Sequence, residues 1–246
     1  MLLNSFESSG NFLFKYRGQI PVVLFVLALF FIFNTNYDCC SKEMILIFKV
    51  LSIAITLLGF LIRFYSIGST TLGTSGRNTQ KQVAEMLNSI GIYSLVRHPL
   101  YLGNYLIWLG IICYTLNLYF IFIFSLLYWI YYERIMFAEE MFLYRKFKDQ
   151  YKKWASYTPA FIPNFKLFKP TTSPFSYKSI FRREYSGFMA TIVSYCYVEI
   201  LQQYVKKELA SWPIKTISVF FIGGIITLTL RILKKNTNLL KEQGRS

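Results

Sequence analysis

Apolar residues fall in long blocks along this chain. Ile20–Phe33 is the first, Met44–Tyr65 the second, and a third begins at Pro99 and runs to Tyr114. Asn117 marks a brief break before Leu118 opens an apolar run that reaches about Phe137, and two later blocks cover Gly187–Tyr204 and Pro213–Leu233. A helix needs about 20 apolar residues to cross the hydrocarbon. The pattern therefore predicts an all-α, polytopic integral membrane protein with a single membrane domain of about six spans, at 20–33, 44–65, 99–114, 118–137, 187–204 and 213–233. Spans three and four are separated by so little that they predict a tight helical hairpin. No Pro or Gly interrupts the second arm before Tyr151, so that helix should continue well past the membrane. Between these blocks lie a Gly/Ser/Thr-rich stretch, Ser66 to Asn78, and an amphipathic piece, Thr79 to Ser89. That piece suits a helix on the membrane surface or a lid over a site. Thr158 to Ser179, rich in Pro, Lys and Phe, should be irregular.

Charge sharpens this picture. Of 246 residues, 54% are hydrophobic and only 16% charged, yet the formal net charge is +15. A soluble domain rarely combines these values. The basic residues flank apolar blocks, which points to anionic lipid headgroups and topology signals and not to nucleic acid. Arg77, Lys81 and Arg97 lie between spans two and three, a basic run from Arg145 to Arg183 lies between spans four and five, and Arg231 to Arg245 follow span six. The alternate loops hold little more than Lys42, Lys206 and Lys207. That alternation predicts both termini on the cytosolic side. The first block lacks a following run of small residues, so it reads as a span and not a cleaved signal. Cys39, Cys40, Cys113 and Cys196 show no zinc-ligand spacing, and no metal is expected. Tyr128, Trp129, Tyr131 and Tyr132 fit an interfacial aromatic belt.

Two segments carry candidate chemistry. The first is Gly91-Ile-Tyr-Ser-Leu-Val-Arg97-His98-Pro99-Leu100-Tyr101-Leu102-Gly103, containing the sole histidine. Pro99 disfavours the helical region for His98 and suits the first turn of the helix that follows, which places Arg97 and His98 at the start of span three. Gly103 lies four residues on, where a neighbouring helix or a ligand can approach the backbone. The second segment is Glu133-Arg134 followed by Glu139-Glu140-Met-Phe-Leu143 and Phe147 to Tyr151. Adjacent helical carboxylates point about 100° apart. One of Glu139 and Glu140 can meet a cationic ligand while the other pairs with a base such as Arg134 or Arg97.

Together these segments resemble the superfamily of isoprenylcysteine carboxyl methyltransferases and phospholipid methyltransferases. The resemblance rests on R-H-P-L-Y-L-G, then E-E-x-x-L-x-x-x-F after a hairpin, Tyr151, and Thr158-Pro159 to Ile162-Pro163. It covers about residues 77–165, with cytosolic catalytic segments at 77–103 and 133–165. It implies S-adenosylmethionine bound at the cytosolic ends of the hairpin, and no G-x-G-x-x-G segment stands against that. Carried over by position, it implies cofactor contacts from His98, Leu100, Tyr101, Glu139, Glu140 and Tyr151, with Gly103 leaving room. Arg97 would orient the acceptor oxygen and act with Glu139 in catalysis, while Arg77 and Arg134 would recruit the substrate. Lys148 departs from the family, which usually has Gly there, and Trp154 replaces a common Tyr. Thr74 to Thr79, Arg182-Arg183-Glu184-Tyr185-Ser-Gly-Phe188 and the two C-terminal spans resemble a bacterial branch associated with methylation of lipid A phosphate. Arg182 and Arg183 themselves read as topology charges.

The expected activity is an S-adenosylmethionine-dependent O-methyltransferase acting on a membrane lipid with an anionic headgroup. An ionised oxygen is already nucleophilic, so positioning and exclusion of water would suffice. The alternatives are a methyltransferase of prenylated C-terminal cysteine, a sterol-type reductase using a nicotinamide dinucleotide, and a non-catalytic scaffold. The intact motifs favour the methyltransferase.

Overall fold

The computed structural model describes residues 1–19, 21–37, 41–70, 82–171, 173–206, 213–242 and 244. Seven α-helices are described: α1 (Leu2–Tyr16), α2 (Pro21–Phe33), α3 (Lys42–Gly68), α4 (Pro99–Cys113), α5 (Leu118–Ala155), α6 (Tyr177–Val205) and α7 (Ile214–Asn236). Among the described residues the only strand-like pairing is an isolated bridge between Gly91 and Lys169. The all-α expectation is met.

Three helices, α3, α5 and α7, are long and apolar enough to cross a membrane. Their outer faces show it: Leu46, Leu57 and Leu61 of α3 and Phe221 and Ile225 of α7 are exposed. α2 and α4 are apolar but have 13 and 15 residues, about 20 and 22 Å at 1.5 Å per residue. α6 has 29 residues, and Arg182, Arg183, Glu184 and Glu199 interrupt its apolar character. It begins ten residues before the expected span, where Ser176 accepts a hydrogen bond from the Ser179 backbone N–H at 3.1 Å. Its polar first turns escape a hydropathy reading.

α1 is an element the apolar blocks do not announce. It packs along the far half of α5. Phe6 meets Phe137 edge-to-face at 5.9 Å, and Phe14 is buried. Gly10 lets the two backbones close on each other, since any side chain there would collide with the Arg134 carbonyl. The short amphipathic period hides among Asn, Ser and Gly.

The hairpin forms as expected. α4 ends at Cys113, Leu116 takes a positive φ of 62°, and Asn117 caps α5 by accepting from the Phe120 N–H at 2.9 Å. α3 packs against α4 through a stripe of small residues. A Cβ on Gly59 would lie 2.7 Å from the Gly103 carbonyl oxygen and 2.8 Å from the Ile107 nitrogen. Such close backbones gain dispersion contacts that lipid cannot offer. Of the two approaches expected at Gly103, a neighbouring helix or a ligand, the contact seen is with α3.

Between α4 and α5 stands a column of tyrosines. Tyr128 and Tyr132 stack at 4.2 Å, Tyr132 meets Tyr101 at 4.8 Å, and the Tyr128 hydroxyl donates to the Tyr101 carbonyl at 2.6 Å. Tyr128 and Tyr132 are therefore buried packing residues and not part of an interfacial belt. Trp129, half exposed, keeps that role open to itself.

Candidate active site

Five helices border one cavity of about 450 Å³ at the end of the hairpin: the start of α4, the extension of α5, the end of α1, α3 through Arg63, and α6. The segment 82–88 covers it. The described part of the amphipathic piece, 82–89, is irregular and not helical, and Val83, Ala84 and Leu87 face the cavity. Of its two expected roles the lid-like placement is the one observed. Residues 79–81 lie outside the described residues, as does Arg77.

The two sequence motifs supply part of the cavity lining. His98, buried, sits just before α4 because Pro99 starts that helix. Its Nε2 lies 2.9 Å from Glu140 Oε1 and its Nδ1 lies 3.6 Å from Glu139 Oε2. The Tyr101 hydroxyl donates to Glu139 Oε1 at 2.7 Å. Burial disfavours charge on His98, but hydrogen bonds and charges from Glu139 and Glu140 outweigh it and hold the imidazole pKa above its ordinary 6.5. Glu139 lines the cavity with His98, Leu100 and Tyr101, whereas Glu140 turns behind them. That divides the acidic pair as 100° of helical rotation requires.

Glu140 has a partner of its own. Arg97 donates from Nε to Glu140 Oε1 at 2.9 Å and from Nη2 to Oε2 at 3.3 Å. Arg97 Nη1 donates to the carbonyls of Ala155 at 2.8 Å and Thr158 at 2.9 Å. The guanidinium fork is thus engaged by the protein itself. The backbone N–H groups of Arg97 and His98 also donate to Pro159 and Ala160, at 2.9 and 3.2 Å. The Thr-Pro to Ile-Pro segment is therefore the strap that fixes the Arg-His-Pro corner. Tyr151 is buried beside Glu140 and does not border the cavity.

Basic side chains line the same cavity. Arg63 of α3 makes a bidentate pair with Glu184 of α6, at 2.7 and 2.6 Å, and also donates to Asn104 of α4. Arg183 is buried and lines the same cavity, which corrects its reading as a topology charge. Arg17, in the turn after α1, is a third guanidinium on this wall. Arg134 is elsewhere: it lies 3.4 Å over the Phe6 ring, in the α1–α5 contact, and not on the cavity. The Arg-Arg-Glu motif hinted at Arg183 and Glu184. Nothing in the sequence pairs Arg63 with a residue more than a hundred positions away.

With this geometry in place, similarity to known proteins can be read. Residues 47–150 match the family model described as phospholipid methyltransferase. The match spans α3, α4 and most of α5, which together supply Glu139 and Arg63 to the cavity. The match covers less than half of the chain, and it supports a membrane methyltransferase that acts on a lipid. Its sequence is also 29% identical over 176 residues to the cobalt-zinc-cadmium resistance protein CzcN of Cupriavidus metallidurans, covering 70% of this chain and 76% of that protein. No solved structure matches the chain.

Proposed function

We propose that the protein transfers a methyl group from S-adenosylmethionine to an ionised oxygen on the headgroup of a membrane lipid, from the cytosolic side of a bacterial inner membrane. The observation that carries this reading is one cavity lined both by Glu139 with His98 and Tyr101 and by Arg17, Arg63 and Arg183. A cationic donor suits the carboxylate and an anionic acceptor the guanidinium groups.

The side chains present fit the cofactor. Glu139 opens onto the cavity beside apolar Leu100, a carboxylate suited to a cationic donor. Glu139 would hold the ammonium group, Tyr101 would orient Glu139, and Tyr151 would support the site from behind through Glu140. Bound there, S-adenosylmethionine supplies an electrophilic methyl on a sulfonium, and its transfer to an oxygen lone pair returns the carbon–sulfur electron pair to sulfur. An ionised acceptor needs no general base, so the protein's work is to position both partners and exclude water. Segment 82–88 and the end of α1 exclude water on this reading.

Arg97 acts as a positioning residue: it fixes Glu140 and the 155–160 strap, and through Glu140 it sets His98. The acceptor contact passes instead to Arg183 and Arg17, whose guanidinium groups stay charged at any physiological pH. Arg63, engaged by Glu184 and Asn104 as fully as Arg97 is by Glu140 and the strap, adds positive charge to the same wall.

The test is incubation of purified protein with labelled S-adenosylmethionine and a total membrane-lipid extract, with the product identified by mass. A methylated anionic lipid is expected, and Glu139→Gln should abolish it. Absence of labelled lipid, together with no thermal shift from S-adenosylhomocysteine, overturns the proposal. A thermal shift from a nicotinamide dinucleotide instead would favour the reductase.

A further inference from the structure

A second hollow, of about 630 Å³, lies between α6 and α7 and is closed on its inner side by Phe25 of α2 and Trp108 of α4. Its walls are apolar along Met189, Ala190, Val193 and Leu228, while Arg231 and Lys235 stand at one end. α6 and α7 are pinned together deeper in the fold, where Gly223 receives Ile192: a Cβ on Gly223 would overlap that side chain. α2 is tied to α6 by the Tyr197 hydroxyl, which donates to the Phe25 carbonyl at 2.9 Å. The hollow therefore has fixed walls and opens outward, where Ala190, Val193 and Leu228 are exposed.

We infer that this groove binds one acyl chain of an anionic membrane lipid, with the headgroup held by Arg231 and Lys235 beside the mouth of the catalytic cavity. Three observations carry the assignment. The first is length: lining residues on α6 run from Tyr185 to Ser194, about 13 Å at 1.5 Å per residue, close to half of a ~30 Å hydrocarbon core. That depth matches a chain from one leaflet. The second is charge: the two cations sit at the same end as Tyr185, whose ring also carries Lys234 at 5.1 Å. A largely apolar trough, broken only by the hydroxyls of Ser186, Ser194 and Thr227 and with cations only at its headgroup end, complements an anionic lipid. The third is continuity: Gly18 borders both the groove and the cavity, and Tyr185 of the groove adjoins Glu184 of the cavity on α6. A lipid seated here has its headgroup next to Arg17 and Arg183.

The groove is built almost wholly from elements outside the matched family segment, since only Trp108 lies within 47–150. It would therefore be a feature through which this chain selects its own lipid. The inference rests on the lipid-methylating reading for its purpose, but the assay below measures lipid retention and requires no methyl transfer.

Full-length protein purified in detergent is mixed with phosphatidylglycerol or phosphatidylcholine of identical acyl chains, and retained lipid is counted by native mass spectrometry. Two basic residues near a membrane surface set the scale of preference for the anionic lipid at about tenfold or more. The double change Arg231→Gln/Lys235→Gln should erase that preference. Ala190→Trp, or Leu228→Trp from the facing wall, should displace the chain and cut retention of both lipids. Melting curves identify any variant that does not fold, and the double glutamine change on an exposed helix end keeps the test decisive if both tryptophan variants fail. Equal retention of the two lipids by the parent protein, or unchanged retention in every folded variant, overturns the inference. A parent that retains phosphatidylglycerol but shows no shift with S-adenosylhomocysteine refutes the methyltransferase reading alone.

Discussion

Arg97→Ala separates two roles for the arginine of the Arg-His-Pro corner. If Arg97 orients the acceptor, its removal cuts methyl transfer and leaves the fold untouched. If it braces Glu140 and the strap, its removal strands a carboxylate and the Ala155 and Thr158 carbonyls. Breaking a fully buried ion pair from one side costs about 3–5 kcal/mol. Here the Arg97 and Glu140 side chains are 16% and 25% exposed, so solvent screening reduces the expected loss to about 2–3 kcal/mol. For a chain of this size that is a fall in Tm of roughly 4–12 °C. The assay is thermal melting in one detergent at one scan rate, for the parent, Arg97→Ala, Glu140→Ala and the double variant. The two changes should be coupled by about 1–2 kcal/mol, because the double variant leaves no unpaired partner. Arg97→Lys should recover less than half of the loss, since an ammonium cannot reproduce a fork spanning a carboxylate and two carbonyls. A melting temperature within about 1 °C of the parent for Arg97→Ala, or strict additivity in the cycle, would refute the bracing role.

Three further outcomes follow from particular contacts. Gly59→Ala places a Cβ against the Gly103 and Ile107 backbone, which cannot move cheaply, so a loss of about 1–3 kcal/mol is expected, read as a lower Tm. Lys148→Gly should raise Tm by a few degrees, because Lys148 is held at φ 44°, ψ −116° inside α5. That conformation costs a side-chain-bearing residue about 1–3 kcal/mol, and glycine's own entropy offsets only part of the relief; a lower Tm would contradict this. The pKa of His98 is raised by Glu139 and Glu140, so its contribution to stability is complete below the ordinary imidazole value. It is lost as pH rises through the raised folded value. Tm should fall across that window, and His98→Gln should flatten the profile; a parent profile as flat as the variant's would rule the linkage out.

The hairpin was legible because its punctuation is local. Pro99 and Asn117 fix the start of α4 and of α5 through backbone chemistry that no distant contact overrides. Lys148 was legible too, as a departure from the family's usual glycine, and its positive φ supplies the physical reason for that glycine. α1 was not legible, since its apolar face is short and interspersed with Asn, Ser and Gly, and its helix is stabilised by packing on α5. The partners of Arg63 and Arg97 lay beyond reach for a different reason. A sequence shows which residues carry charge, and not which way a long side chain points. Arg97 borders the cavity, and its ties to the strap carbonyls could not be read from its position, while Arg183 looked like a loop charge until α6 was seen to begin before it.

The division of the cavity also says where specificity resides. Glu139, His98, Leu100 and Tyr101 lie within the segment shared with the phospholipid methyltransferase family, and they hold one another through contacts within α4, α5 and the strap. Of the guanidinium groups Arg17, Arg63 and Arg183, only Arg63 belongs to that segment, whereas Arg17, Arg183 and the Glu184 that fixes Arg63 come from α6 and the turn after α1. If Glu139 meets the donor and the guanidinium groups meet the acceptor, as proposed, shared and flanking residues can change independently. Substitutions at Arg17, Arg183 or Glu184 should therefore alter which lipid is used while leaving the thermal shift from S-adenosylhomocysteine in place, and those at Glu139 or Tyr101 should abolish both together. If Arg183→Gln weakened S-adenosylhomocysteine binding as much as Glu139→Gln does, the two sets of residues would not be separable and the assignment of donor and acceptor would fail.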